Sequence, residues 1–290
     1  MKTSNSRLRY SFSVGKLLGV LFLIAYTILS VYPFLWMVSA TMKDRIEVMT
    51  SSSLIPQHPS FTTLIETWQK LDFFLHFRNS LFLSIIVILG SIILCSLAGY
   101  GFAVLPFKGG NLLLGFFLSM LLVPGVTVLV PLYVLLRLQV PMIGPNSPYW
   151  LTYLGTALPM INGGAPFAMF LFRNYFKAIP QDLHDAAVVD GASEFRIYWG
   201  IYLPLSLPAV ATIGIMTFLS SWNAYAWPSI VLTKPEWQTL PLQLRQLDLE
   251  RLIQWDVRMA GSLFVVIPVV IVFFLLQRYY VAGLTGSVKN

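Results

Sequence analysis

Residues 179–194 read Ile179-Pro180-Gln181-Asp182-Leu183-His184-Asp185-Ala186-Ala187-Val188-Val189-Asp190-Gly191-Ala192-Ser193-Glu194, a short polar stretch set between two long apolar runs. Pro180 suits the first turn of a helix, Asp182 complements its dipole, and Gly191 stands where a left-handed C-terminal cap is wanted. Ser193 is then placed to cap a second helix that runs to Leu203 and stops at Pro204. The stretch therefore predicts a helix, a glycine corner and a second helix. Ala186 and Ala187 leave little side-chain bulk, so another protein's surface could approach closely. Asp182 and Asp185, three apart on one face, could meet a basic partner. From these residues alone, a surface hairpin that merely links two spans is supported equally well.

The flanking runs decide the fold class. Of 290 residues, 57% are hydrophobic and 11% charged, against ~25% charged in ordinary soluble domains, which excludes that class. Six long uncharged stretches lie close to or above the ~20 residues a membrane-crossing helix needs. An all-α polytopic membrane protein with six transmembrane helices is predicted. The first span covers Leu17–Val38, too long for a signal-peptide core although Val38-Ser39-Ala40 would pass as a cleavage site. The second lies between Arg78 and Lys108, the third between Lys108 and Arg137, and the fourth between Pro148 and Arg173. The fifth runs from near Leu205 to near Trp227, and the sixth between Arg258 and Arg278. Residues 1–16 form an N-terminal segment, 17–38 the first helix, 39–79 an external loop, 80–280 the core with five helices, and 281–290 a C-terminal tail.

The net charge of +7 is scattered between apolar spans, so the basic residues read as topology signals and nucleic acid is not an expected partner. With the termini inside, the inner side holds 10 basic and 4 acidic residues and the outer side 9 and 8. Basic counts of 10 and 9 do not discriminate. Lys2, Arg7, Arg9 and Lys16, with no acid among them, precede the first span and place both termini in the cytoplasm. The expected location is the inner membrane of a prokaryotic cell.

No phosphate-binding loop, zinc-binding H-E-x-x-H pair or nucleophile elbow occurs in the sequence. The chain is not expected to be an enzyme or to hold a metal or cofactor of its own. Cys95 is the single cysteine, within an apolar span. His58, His76 and His184 are all assigned to loops, and no Asp, Glu, Lys or Arg falls inside the spans, which argues against an ion-coupled secondary carrier. Asn162 and Gly163-Gly164 near the middle of the fourth span either open toward a cavity or mark a close helix crossing, the latter favoured. Ser91, Cys95, Gly99 and Ala103 recur every four residues as a packing ladder. Trp222, Asn223, Tyr225 and Trp227 near the outer end of the fifth span could stack on a sugar or form an interfacial aromatic belt, with the belt slightly preferred. Asn162, Gly163, Trp222, Asn223 and Tyr225 are the candidate substrate path.

Asp185-Ala186-Ala187, Gly191 four residues on, Ile201 ten beyond that, then Leu203-Pro204 resemble the EAA loop of membrane subunits of binding-protein-dependent (type I) ABC importers. Pro124, Pro131-Leu132-Tyr133, Phe170-Leu171-Phe172-Arg173, Trp222 through Pro228, Thr239-Leu240-Pro241 and Gln277 through Thr285 are similar to the MalG-like branch serving carbohydrate importers. The resemblance spans about residues 75–290. It implies that the loop docks on a cytoplasmic ATPase subunit, with Asp182, Asp185, Ala186, Ala187, Asp190, Gly191, Ala192, Leu203 and Pro204 as coupling residues. It further implies that Gly283, Leu284, Thr285 and Gly286 in the tail contact the ATPase dimer. ATP and magnesium would be held by two ATPase partners. A second permease, an extracytoplasmic binding protein facing the loop around Trp237, and membrane lipid complete the implied partners. The implied cargo is an oligosaccharide or related carbohydrate, with glycerol phosphate or a uronate oligomer as the alternative on the same fold. Two features depart from the pattern: Asp185 replaces the usual Glu, and the tail ending at Asn290 is one residue shorter than usual.

Overall fold

In a computed structural model of the protein the described residues are 14–105, 107–247 and 254–286, and every regular element among them is helical. In chain order these are α1 (Val14–Ala40), α2 (Arg45–Thr50), α3 (Thr62–Lys70), α4 (Phe73–Ala103), α5 (Gly110–Ser119), α6 (Gly125–Val134) and α7 (Tyr149–Lys177). They continue with α8 (Gln181–Val189), α9 (Glu194–Ile197), α10 (Leu203–Leu205), α11 (Leu207–Trp222), α12 (Ala226–Val231), α13 (Leu240–Leu247) and α14 (Trp255–Gly286). α1, α4, α7 and α14 are each long and apolar enough to cross a membrane, and two bent helix pairs bring the number of spans to as many as six.

The segment assigned to the third span forms one bent pair, and the second arm of the hairpin with the start of the segment assigned to the fifth span forms the other. Gly110–Leu122 and Gly125–Gln139 meet at 99°, because Pro124 offers no N–H and forces Val123 out of the helical region, to φ −81° and ψ 119°. Glu194–Leu205 and Leu207–Trp222 meet at 78°. The break falls at Ser206 and not, as the sequence suggests, at Pro204. Pro208 in the first turn of α11 has no N–H for the carbonyl four residues back, whereas Pro204 sits in the first turn of α10.

Two compact units are distinguished, one within Met1–Thr67 plus Gln254–Leu263 and the other within Trp68–Ile253 plus Phe264–Asn290. In the first, the part of the assigned external loop up to Thr67 contains α2 and is tied together by polar contacts. Asp44 caps α2 by accepting from the Glu47 amide at 2.8 Å, the Glu47 carboxylate accepts from the Gln57 amide at 2.9 Å, and the buried Lys43 ammonium donates to the Ser53 carbonyl.

In the second unit α4 packs along α7 and α11. A Cβ on Gly99 would lie 2.7 Å from the Phe172 Cβ, 3.1 Å from the Arg173 amide nitrogen and 3.2 Å from the Met169 carbonyl oxygen. The small-residue ladder of the second span is thus the seat of a helix crossing, with Ser91, Cys95 and Gly99 buried and Ala103 half-buried. α4 begins at Phe73, earlier than the sequence suggests, so His76 lies on a helix and is buried; His184 also lies on a helix, α8. The polar residues His76, Asn79 and Ser80 are accommodated there because each meets a partner far along the chain.

Candidate functional site

The residues before α4 aside, two polar assemblies occupy opposite ends of that helix. Near its C-terminal end lies the hairpin 180–204. α8 closes with the Gly191 amide on the Val188 carbonyl and the Ala192 amide on the Ala187 carbonyl, both at 3.0 Å, while Gly191 adopts φ +76°. This is a Schellman cap, which a residue without Cβ makes at least strain. Ser193 stands at the N-cap position of α9, yet its side chain makes no capping hydrogen bond, so that expectation fails.

The hairpin has two faces. Ala187, Ala192, Ile201 and Leu203 pack against a core of Tyr100, Phe172, Phe176, Ile197, Tyr198 and Tyr202. Asp182, Asp185, Ala186, Asp190 and Gly191 are exposed, as is Pro204. Leu183, Val188, Phe195 and Trp199 are exposed beside them, and Val189 is 86% exposed. The adjacent alanines therefore divide: Ala186 looks outward and Ala187 inward. Beneath the hairpin a cavity of about 740 Å³ is lined by Arg173, Lys177, His184, Asp185, Tyr202 and the start of α5. Arg173 donates to the Asn111 side chain across it, at 3.0 Å.

Several groups that the sequence did not single out hold the hairpin. The Tyr100 hydroxyl donates to the Glu194 carboxylate at 2.6 Å, and the Ser96 and Tyr198 hydroxyls share a hydrogen bond of 2.6 Å. His184 places Nε2 3.3 Å from Glu194 and Nδ1 3.3 Å from Asp185. Glu194 had one local signal, an acid in the first turn of a helix. Tyr100, 94 residues away, had none.

At the other end of α4 an extended strap, Gln238-Thr239, lies between a 3-10 turn at Pro235–Trp237 and α13. The Gln238 carbonyl accepts from Asn79 at 3.0 Å and meets His76 Nδ1 at 2.8 Å, which requires the proton on that nitrogen. Asn79 also donates to the Glu236 carbonyl at 2.9 Å, Tyr153 donates to the Trp237 carbonyl at 2.6 Å, and the Leu240 amide donates to Ser80 at 2.8 Å. The Lys234 ammonium lies 4.0 Å from the centre of the Trp237 ring. Asp248, Glu250 and Arg251 of the same predicted loop lie outside the described residues.

The predicted substrate-path residues do not form one surface. Trp222 is 1% exposed, stacks on Phe218 and donates its indole N–H to the Val265 carbonyl at 3.0 Å. It is a core residue, neither a sugar platform nor part of an interfacial belt. Trp227 is likewise buried, donating to the Thr156 carbonyl at 3.0 Å. Asn223 and Tyr225 are exposed, with the Asn223 amide turned back onto the Leu219 carbonyl. Asn162, Gly163 and Gly164 are exposed on an unbroken α7, and a Cβ on either glycine would meet nothing within 4 Å. The favoured close crossing at these glycines is therefore not made within the chain. Asn162 lines one cavity of about 300 Å³, and Gly164 another of about 220 Å³. Gly283–Gly286 are helical, as the end of α14, while Ser287–Asn290 lie outside the described residues. Among the described residues no group of three or more His, Cys, Asp and Glu could hold a metal ion.

Residues 91–286 match the family of the binding-protein-dependent transport system inner membrane component. The chain is 35% identical over 269 residues to the arabinooligosaccharides transport system permease protein AraQ of Halalkalibacterium halodurans, covering 90% of this chain and 92% of that protein. It is 32% identical to the lactose transport system permease protein LacG of Rhizobium radiobacter, covering 90% and 92%, and 32% identical to the galactooligosaccharides transport system permease protein GanQ of Bacillus subtilis, covering 93% and 94%. Its fold is similar to a chain of a bacterial ABC transporter involved in the import of the acidic polysaccharide alginate, with a TM-score of 0.77 at 22% identity over 92% of this chain and 96% of that one. With the family profile matched over more than half of the chain and sugar-transport permeases aligned along nearly all of it, the chain belongs to the binding-protein-dependent transport system inner membrane components, the permease subunits of ABC importers.

Proposed function

We propose that this permease carries an oligosaccharide or related carbohydrate across the membrane and is driven by two ATPase subunits that engage the hairpin 180–204. The exposed, Schellman-capped hairpin carries this reading: it presents Asp182, Asp185, Asp190 and an apolar rim outward while its inner face is built into the helix core. Asp182, Asp185, Ala186 and Gly191 form the contact, with Ala187, Ala192 and Leu203 seating it and Asp190 and Pro204 at its margins. The tail Gly283–Gly286 is a second contact with the ATPases. Both termini lie in the cytoplasm, and the strap 235–240 faces a binding protein on the opposite side. ATP binding closes the ATPase pair, the hairpin moves, and the helices open outward to receive the solute released by the binding protein. A second related permease completes the pathway, and Asn162, Gly163, Asn223 and Tyr225 are the residues of this chain that remain available to line it. The relatives named for arabinooligosaccharides, lactose and galactooligosaccharides support a carbohydrate cargo.

The test is to purify the chain from native membranes in mild detergent and identify its companions by mass spectrometry. Recovery of an ATPase, a second permease and a binding protein is expected, and the sugar on the binding protein names the cargo. Recovery of the chain alone, still able to move solute, overturns the proposal in favour of an ion-coupled carrier.

A further inference from the structure

Gly191 is a weak point in the hairpin. At φ +76° it has open space where a side chain would stand, so the corner is held by two backbone hydrogen bonds and by no packing at the glycine itself. A load applied to α8 would be spent in flexing there unless something ties the two arms together and to the helices beyond. Ala187 and Ala192 seat the two sides of the corner on the core, and Glu194, three residues past it, adds a polar tie. Oε2 accepts from Tyr100 at 2.6 Å and lies 3.4 Å from His184 Nε2 on α8, with Oε1 3.3 Å from the same nitrogen. Three elements thus meet on a single carboxylate: α4, α8 and the second arm.

The anchor on α4 is firm. Tyr100 is buried, with the rings of Tyr198, Tyr202 and Phe176 edge-on at 5.5, 5.0 and 6.1 Å. One turn earlier the Ser96–Tyr198 hydrogen bond ties the same arm to the same helix. An O–H···O⁻ contact of 2.6 Å falls among the short, charge-assisted bonds. His184 is held in turn, its side chain 16% exposed and its ring edge-on to Tyr202.

We propose that Glu194 is a positioning residue that makes the hairpin and α4 move as one lever, through Tyr100 on one side and His184 on the other. The inference rests on the reading of residues 180–204 as the ATPase contact. Its test uses the intact importer in proteoliposomes, with ATP hydrolysis and solute uptake measured together. Tyr100→Phe removes one hydroxyl and leaves the buried ring. The expected result is complex yield and ATP hydrolysis close to wild type, with solute imported per ATP falling about tenfold, the size expected for one hydrogen bond to a charged group. Glu194→Ala is expected to show the same fall, and the double variant to fall no further than Glu194→Ala alone, because both changes remove one tie. A wild-type transport ratio in Tyr100→Phe overturns the proposal, as does a proportional loss of hydrolysis and uptake that tracks complex yield. Wild-type proteoliposomes whose uptake needs no ATP would instead overturn the assigned function itself.

Discussion

Two glycine positions with the same letter have opposite roles. At Gly191 φ is +76°, and any residue with a Cβ is strained there, although nothing stands in its way. Gly191→Val should cost about 1–2 kcal/mol in the hairpin, with uptake into vesicles reduced while the chain stays in the membrane. Gly163 is helical and open, so Gly163→Ala should stabilise α7 by roughly 0.5–1 kcal/mol, read as an unchanged or raised Tm in detergent. Uptake lost in Gly163→Ala without loss of Tm would identify that position as one approached by solute or by another subunit. Trp222 belongs to the core: Trp222→Ala should destabilise by about 3–5 kcal/mol, which thermal unfolding will register as a fall in Tm. A Tm within error of wild type would return Trp222 to the candidate pathway.

Among the elements, the crossing of α4 and α7 depends on Gly99, where added atoms would meet backbone as well as a side chain. Gly99→Leu should cost at least the roughly 1–3 kcal/mol of overpacking, measured as a lower Tm and a smaller yield of folded protein from the membrane. Gly101, with nothing within 4 Å of its Cβ position, is the control that should tolerate alanine. The ladder of small residues made this crossing legible, because helix periodicity puts every fourth residue on one face. The breaks at Val123–Pro124 and at Ser206 were less legible. Hydrophobicity sums smoothly across a bend, and proline pairs such as Pro204 and Pro208 leave open which one ends the helix.

Across the larger unit, α4 is a strut with a polar assembly at each end. His76 and Tyr100 are 24 residues apart, which at the helical rise is about 36 Å. The strap end is held by side chains that pair with strap backbone groups, so its loss should be local. Asn79→Ala removes the hydrogen bonds to the Glu236 and Gln238 carbonyls and the acceptor of the Tyr149 hydroxyl, a cost of about 1–3 kcal/mol for each group left unsatisfied. Amide exchange across residues 236–242 should quicken while that of residues 181–189 is unchanged. Faster exchange in both segments would mean that the two ends are coupled more tightly than their hydrogen bonds indicate.

The sequence by itself determined what depends on neighbours a few residues away. Apolar length marked the candidate membrane spans, Pro180 and Gly191 marked the start and corner of the hairpin, and the spacing from Asp185 to Pro204 pointed to the family. Tertiary structure decided which side chains meet. Tyr100 finds Glu194, Asn79 finds Gln238 and Trp222 finds Val265 across 94, 159 and 43 residues. It also decided that Trp222 lies inside and the Gly163-Gly164 pair outside. Local conformation is set by sterics and capping within one turn, whereas burial and polar pairing depend on which distant faces the folded chain brings together.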